Sequence, residues 1–187
     1  MTDTRHLACR CGAMAWHVAP SAGGTHAVCY CSDCQTYARH LGRAGDFLDP
    51  HGGTEVFQTL PYNLVIDRGA EHLAMLRLGP KGLFRWYAGC CNTPIANTLP
   101  KPALPFVGLV LPPGARDFGP ITARANTGPT QGKVRPHGVL ATIFSLFARG
   151  IGARLSGRAA SPFFTRTGEP IVAPRILTRE ERNAARP

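Results

Sequence analysis

The segment at residues 29–34 reads Cys-Tyr-Cys-Ser-Asp-Cys and places three thiols within six positions. A packed hydrophobic core has no need for sulfur at this density, whereas thiolates bind a borderline-soft metal such as zinc. Three ligands leave one position of a tetrahedral ion open, and an open position distinguishes a catalytic zinc site from a structural one. The segment therefore predicts a catalytic metal site at Cys29, Cys31 and Cys34, with zinc favoured over iron.

The residues around this segment predict a strand that leads into a helix. Residues 25–30 are rich in β-branched and aromatic side chains, which favour a short strand. Ser32 and Gln35 have the spacing of a capping box, so we expect a helix that has Ser32 as its N-cap and ends near Gly42. Cys34 then lies in the first helical turn, where the helix dipole is expected to lower its pKa and favour the thiolate.

The other four cysteines also occur in close pairs, Cys9 with Cys11 and Cys90 with Cys91. Disulfide frameworks are typical of short secreted chains. Residues 1–18 do not form a signal peptide, because Arg and His residues interrupt their apolar character. Close pairs in such a chain predict metal ligands rather than disulfides. We therefore expect a cytoplasmic protein in which all seven cysteines bind metal.

Length and composition predict a β domain over residues 1–114 and a basic segment over residues 115–187 that packs on it. The 187 residues include 21 glycines and 17 prolines, which favours short strands and turns, and no apolar run is long enough to span a membrane. Lys and Arg exceed Asp and Glu by two in the first part and by eight in the second. Such basic charge permits binding of nucleic acid, anionic lipid or an acidic substrate, and it is equally typical of a solvated surface.

The hydrophobic pattern of residues 1–114 predicts short strands separated by turns that contain Gly or Pro. In addition to residues 25–30, we expect strands at residues 13–18, 54–60, 63–67, 72–78, 83–87 and 106–111. The Cys-Arg-Cys-Gly turn at 9–12 is expected to place Gly12 in the left-handed conformation. The predicted fold is therefore mainly β, built from small twisted antiparallel sheets and stabilised by zinc, with a helical C-terminal extension.

The second part of the chain predicts two helices. Residues 139–155 have helical spacing, with an apolar stripe near one face formed by Leu140, Phe144, Phe147, Ile151 and Leu155. We expect this stripe to pack on the sheet or at a subunit contact rather than on a membrane. Thr178 and Glu181 form a second capping box, which predicts a short terminal helix.

The three thiol motifs together resemble those of the glutathione-dependent formaldehyde-activating enzyme family, which also includes centromere protein V. The chain has Cys-x-Cys-Gly at 9–12, the segment 29–34, and Cys-Cys-Asn-Thr-Pro at 90–94 after an aromatic strand. The family has Cys-x-Cys-Gly, Cys-x-Cys-x-x-Cys and Cys-x-x-Cys-Gly-Thr-Pro in the same order. The match covers roughly residues 1–110. The chain also resembles a group of uncharacterised bacterial relatives of that family, over its C-terminal segment as well.

The resemblance implies a compact, mostly β fold with two zinc ions per chain. By motif, Cys9 and Cys11 match ligands of a structural zinc that the first and third motifs hold together. Cys29, Cys31 and Cys34 match the ligands of a catalytic zinc whose fourth position accepts a substrate thiol. The founding activity of the family joins formaldehyde to glutathione and gives S-hydroxymethylglutathione.

The third motif departs from the family pattern. When the Thr-Pro at 93–94 is aligned, the last family cysteine falls on Cys91, the Gly after it on Asn92, and the other cysteine on Ala88. Either Cys90 replaces the ligand missing at Ala88, or the site has three thiols and a different fourth partner. Adjacent cysteines can share a metal only with a strained turn.

Two functions follow from these motifs. The first is a zinc-dependent thiol-adduct enzyme resembling S-hydroxymethylglutathione synthase, a carbon–sulfur lyase whose partner is a small thiol such as glutathione. A coordinated thiol is deprotonated, so such a site can present a thiolate to formaldehyde. The alternative is a non-catalytic zinc-binding module for nucleic acid or protein, in which zinc only stabilises the fold. The basic second part supports this alternative, although nucleic acid is the less favoured partner.

Other polar residues are candidates for supporting roles at the middle motif. Arg39 and Arg43 follow Cys34 by about one and two helical turns, so they are expected to offset the charge of the thiolates or to bind a glutathione carboxylate, or else to be solvent-facing charges. Asp33 is expected to hydrogen-bond toward the metal ligands or to favour the helix start. Candidates for a proton carrier or a fourth ligand, or simply surface residues, are His26, His40, His51 and His72.

Overall fold

The computed structural model describes residues 4–102, 105–158 and 160–187. In these ranges, strands form two sheets, one antiparallel and one mixed, and α-helices pack around them. The fold is therefore mainly β, as the sequence predicted.

The small sheet has three antiparallel strands in the order β1-β2-β5. These strands are β1 (Arg5–Ala8), β2 (Ala15–Val18) and β5 (Leu64–Arg68). A thiol turn connects β1 to β2, and Gly12 in that turn has a left-handed φ of 73°, which confirms the prediction. The turn brings Cys9 and Cys11 to the edge of this sheet.

The large sheet has eight strands in the order β10-β3-β4-β9-β8-β7-β6-β11. Their bounds are β3 (Thr25–Cys29), β4 (Thr54–Thr59), β6 (Leu73–Arg77), β7 (Phe84–Ala88), β8 (Thr93–Thr98), β9 (Val107–Leu111), β10 (Ala123–Ala125) and β11 (Arg175–Ile176). The inner pairs are antiparallel, and the two edge pairs, β10 with β3 and β11 with β6, are parallel. All five residues of the central strand β9 are buried, because both faces of the sheet are covered there.

The four α-helices are α1 (Ser32–His40), α2 (Ala44–Phe47), α3 (Val139–Leu155) and α4 (Arg179–Ala184). The predicted helices α1, α3 and α4 are confirmed, and α4 begins with the predicted capping box of Thr178 and Glu181. The predicted N-cap of α1 is wrong by one residue. Cys31, not Ser32, is the N-cap, because its sulfur accepts a hydrogen bond of 3.4 Å from the backbone N–H of Cys34. Gln35 instead donates its side-chain amide to the carbonyl oxygen of Tyr30.

The two faces of the large sheet bury separate apolar clusters. One face packs against the small sheet, and its cluster includes the fully buried Trp16, Met75 and Trp86. The other face packs against α1, where Tyr37 and Leu41 contact the cluster that contains Val110. This second layer holds α1, and with it Cys34, firmly on the sheet.

Residues after 115 contribute to both ends of the large sheet through β10 and β11, and Phe163 stacks on Trp86 with ring centroids 4.8 Å apart. The division of the chain near residue 114 stays a prediction. The predicted packing of the α3 stripe on the sheet is wrong: Leu140, Phe144 and Leu155 are 83%, 77% and 85% exposed. The helix contacts the sheet through its opposite face. None of the helices in the described residues is long and apolar enough to cross a membrane.

Candidate metal centres

The middle motif forms a three-thiol cluster of Cys29, Cys31 and Cys34. Cys29 is the last residue of β3, Cys31 caps α1, and Cys34 lies in the first turn of that helix. The strand-to-helix turn therefore directs all three sulfurs to one point, where they lie within 4.8 Å of one another. This spacing suits three thiolates on one metal ion, and none of the three is in a disulfide.

The three-thiol cluster is covered on the side of the core and accessible on the other. Cys34 is buried, whereas Cys29 and Cys31 are half-buried. Within the described residues, no His, Asp or Glu joins the group as a fourth ligand. The exposed Asn126 donates its amide to the sulfur of Cys29 at 3.4 Å. The cluster thus offers three thiols that could bind a metal ion, and it has one accessible side.

A buried arginine supplies positive charge next to this cluster. Arg85 on β7 is 2% exposed, and its Nη1 lies 4.0 Å from the sulfur of Cys34 and 3.2 Å from Oδ1 of Asn97. The expectation that Arg39 and Arg43 offset the thiolate charge stays a prediction, and neither residue hydrogen-bonds to the three sulfurs in the described chain. Arg39 is exposed, and Arg43 donates to the backbone carbonyl of Cys91, because the short α2 turns it toward the other thiol cluster.

Hydrogen bonds among the three sulfurs separate their pKa values. Hydrogen bonds with Cys31 and Cys34 lower the pKa of Cys29 to about 2 against the effect of burial, and the bond with Cys29 raises the pKa of Cys31 to about 11. Bonds to Cys29 and Cys31, together with burial, raise the pKa of Cys34. This direction is opposite to the expected lowering of the Cys34 pKa, because these effects outweigh the attraction of Arg85.

The first and third motifs form a four-thiol cluster of Cys9, Cys11, Cys90 and Cys91. The sulfur separations are 3.6 Å for Cys9–Cys11, 3.8 Å for Cys9–Cys90, 3.4 Å for Cys11–Cys90 and 3.9 Å for Cys90–Cys91. A tetrahedral zinc with Zn–S bonds of about 2.3 Å holds its sulfurs about 3.8 Å apart. The four thiols therefore fit a zinc ion, and the cluster connects the β1–β2 turn to the β7–β8 turn.

The β7–β8 turn explains how adjacent cysteines reach the same cluster. Asn92 has a left-handed φ of 57°, a conformation that Asn tolerates better than most residues. The Thr93 hydroxyl lies 3.1 Å from the sulfur of Cys91 and accepts a hydrogen bond from the backbone of Arg10. Of the two alternatives for the ligand missing at Ala88, the geometry therefore favours Cys90.

The remaining polar candidates have other contacts. Asp33 is 66% exposed at its side chain and lies 3.8 Å from Arg85. His26 is buried between the carbonyl oxygen of Gly119 and the carboxylate of Glu55, at 2.8 and 3.1 Å. In the described chain, the other three candidate histidines also lie outside both thiol clusters. His40 is near Arg175, His51 is near the carbonyl of Gln131, and His72 is near Glu71.

Sequence reasoning missed three features of these centres. The only sequence indication for Arg85 was its position among the aromatic residues of β7. A cation that is buried in such a strand needs an anionic neighbour. The sequence did not indicate Asn126, because it lies far from the motif in sequence.

A third group of His6, His17 and Asp67 has its ligand atoms within 4.8 Å, with Nδ1 of His17 2.6 Å from Oδ1 of Asp67. It forms because β1, β2 and β5 are neighbours in the small sheet.

Comparison with known proteins gives a family and a distantly similar solved structure. A family of unknown function, DUF6151, matches residues 1–172 of the chain. No curated protein matches it. A crystal structure of a Rhodobacter sphaeroides protein is 22% identical, and the alignment covers 62% of this chain and 96% of that one with a TM-score of 0.41.

Proposed function

Because the chain belongs to DUF6151, a family of unknown function, we propose its activity from its own thiol clusters. We propose a zinc-dependent enzyme that forms or cleaves a carbon–sulfur adduct on a small thiol such as glutathione. The observation that carries the proposal is the three-thiol cluster, which has three ligands, one accessible side and a buried cation beside it. Three protein ligands with an open position are typical of catalytic zinc, whereas four are typical of structural zinc.

The two clusters would then have different roles, one structural and one catalytic. Cys9, Cys11, Cys90 and Cys91 would hold a structural zinc, since their spacing fits four sulfurs on one tetrahedral ion. Cys29, Cys31 and Cys34 would hold the second zinc, which when bound supplies a Lewis acid that keeps a thiol deprotonated at neutral pH. The resemblance of the three motifs to glutathione-dependent formaldehyde-activating enzymes supports both assignments.

The residues around the three-thiol cluster suit an anionic sulfur substrate. Three thiolates on a divalent ion leave one net negative charge, and a substrate thiolate adds a second. Arg85 offsets part of this charge from the buried side, where its interaction is poorly screened by water. Asn126 lies on the accessible side and donates a hydrogen bond to sulfur. The substrate thiol would approach past Cys29 and Cys31, the two half-buried ligands.

Metal content is the first prediction. Protein purified from zinc-supplemented cells is expected to contain two zinc ions per chain by elemental analysis, since two separate thiol clusters are present. The Cys31→Ser variant should contain one. A His6→Ala variant is the matched control and should still contain two. Protein without bound metal, whether its thiols are free or paired, would contradict the proposal.

The activity is tested with glutathione and formaldehyde. The zinc-loaded protein should bind glutathione in a calorimetric titration and accelerate its reaction with formaldehyde, as measured by exchange NMR. We expect Cys31→Ser to bind glutathione at least about tenfold more weakly, because one ligand of the open site is lost. Binding without acceleration would contradict the enzyme proposal and favour a thiol-binding module. If the protein neither binds glutathione nor accelerates the reaction, the glutathione assignment is contradicted altogether.

A further inference from the structure

Helix α3 presents an apolar face to solvent along its whole length. Leu140, Phe144 and Leu155 are more than three-quarters exposed, and Ile143, Phe147 and Ile151 on the same face are 46%, 48% and 59% exposed. Exposed apolar patches of this kind mark interaction sites in monomeric proteins, whereas scattered single residues do not. The exposed apolar face of α3 is therefore not accounted for by packing within the described chain, and it is a candidate interaction site.

The opposite face of α3 fixes the orientation of this helix on the body of the protein. Arg149 donates to the hydroxyl of Thr25 at 3.3 Å and also to the side-chain oxygen of Gln58. Gly150 and Ala153 are buried on that side. The helix cannot turn its apolar face inward without breaking these contacts, so the exposed face is the one available to a partner.

The chain around α3 is strongly basic. Between Asp117 and Glu169 it contains seven Lys or Arg residues and no Asp or Glu. Arg154 lies on α3 itself, and Arg158 follows just after its end. A second copy of the chain would bring the same positive charge against this face, so repulsion opposes self-association there. The charge favours an anionic partner.

A basic cleft adjoins the apolar face. It has a volume of about 920 Å³ and is shared between α3 and neighbouring loops. Its described lining has four cations and no carboxylate; the cations are Lys101, Arg154, Arg158 and Arg166. Tyr62, Phe106 and Phe164 supply apolar walls. The cleft therefore suits a phosphate that is attached to an apolar body.

From these observations we infer that α3 docks on an anionic membrane surface. The apolar face lies among the acyl chains, parallel to the surface, over a helix about 26 Å long for its 17 residues. Arg154 extends its guanidinium to the headgroups while its aliphatic stem stays in the apolar layer. The adjoining cleft receives a lipid phosphate. Apolar insertion and attraction to anionic lipid act together, as interfacial helices require.

The test is co-sedimentation of the full chain with vesicles. We expect binding to vesicles of equal parts phosphatidylcholine and phosphatidylglycerol to be at least about tenfold stronger than to pure phosphatidylcholine, and to weaken with added salt. Phe144→Ser should weaken binding about tenfold, because one large apolar contact is lost. Ile171→Ser is the matched control, since this exposed isoleucine lies outside the patch, and it should bind as the parent does. Arg154→Gln combined with Arg158→Gln should reduce the preference for anionic vesicles.

Four results would overturn the inference. Equal binding to both vesicle types would remove the role of charge. Unchanged binding of Phe144→Ser would remove the role of the apolar face. Phe144 is 77% exposed, so the substitution should leave the fold intact, which circular dichroism checks. A concentration-dependent dimer in sedimentation velocity that Phe144→Ser abolishes, without vesicle binding, would assign the face to a second copy. Binding of inorganic phosphate without vesicle binding would likewise reject membrane docking.

Discussion

Replacing Cys9 by serine is expected to lower the free energy of unfolding by about 4 kcal/mol, since loss of a structural metal is among the few causes of effects this large. For a chain of this length the midpoint of thermal unfolding should fall by about 10 °C. Cys9 is buried, and its sulfur lies within 4 Å of those of Cys11 and Cys90. Its loss would release the connection between the β1–β2 turn and the β7–β8 turn. Differential scanning calorimetry of zinc-loaded protein measures the change.

Cys31→Ser is a matched control for this experiment. Serine is a preferred N-cap residue, so the substitution preserves the start of α1 while it removes a ligand from the three-thiol cluster. We expect a clearly smaller fall in the unfolding midpoint than for Cys9→Ser, because this cluster does not connect the two sheets. An equal fall in both variants would show that the middle cluster is structural as well.

Replacing Arg85 by methionine should weaken glutathione binding about 10- to 100-fold, the range expected when a residue that supports metal ligands is lost. Methionine occupies similar space but leaves the thiolate charge near Cys34 without its buried cation. Arg39→Met is the matched control. Arg39 is exposed on α1, so its loss should change the affinity less than twofold.

Calorimetric titration of both arginine variants with glutathione decides this prediction. Arg85→Lys should recover part of the affinity, because it keeps the charge but not the planar hydrogen-bonding geometry. Circular dichroism confirms that each variant is folded. Equal affinity of Arg85→Met and the parent protein would show that Arg85 serves only the packing of β7 on Tyr37 and its bond to Asn97.

The parts of the site that are local in sequence could be predicted, and the parts that depend on sheet order could not. The strand, turn and helix that carry Cys29, Cys31 and Cys34 follow from residues within one short segment. Arg85 reaches Cys34 only because β7 lies in the same sheet whose face α1 covers, an arrangement that periodicity does not reveal. Sequence spacing alone therefore indicated Arg39 and Arg43 and did not indicate Arg85.

In the fold as well, features with a clear local sequence pattern were predicted and the others were not. The strand β4, which has apolar alternation, and the strand β9, which is a continuous apolar run, were predicted close to their observed bounds. The strand β8 was missed because Pro94 and small polar residues interrupt its hydrophobic pattern, although every residue in it is buried. The apolar spacing of α3 correctly predicted a helix but not the direction of its face, because the buried side is anchored by Arg149 rather than by apolar residues.

The central claim is that Cys29, Cys31 and Cys34 hold a metal with one position accessible to a substrate thiol. Cadmium-113 NMR of the cadmium-substituted protein tests it most directly, since each site gives its own resonance and the chemical shift reports the number of sulfur ligands. We expect two resonances, one of which is absent in Cys31→Ser. Added glutathione should move that resonance toward the position of a four-sulfur site and leave the other unchanged. A single resonance, or two that both ignore glutathione, would contradict the claim.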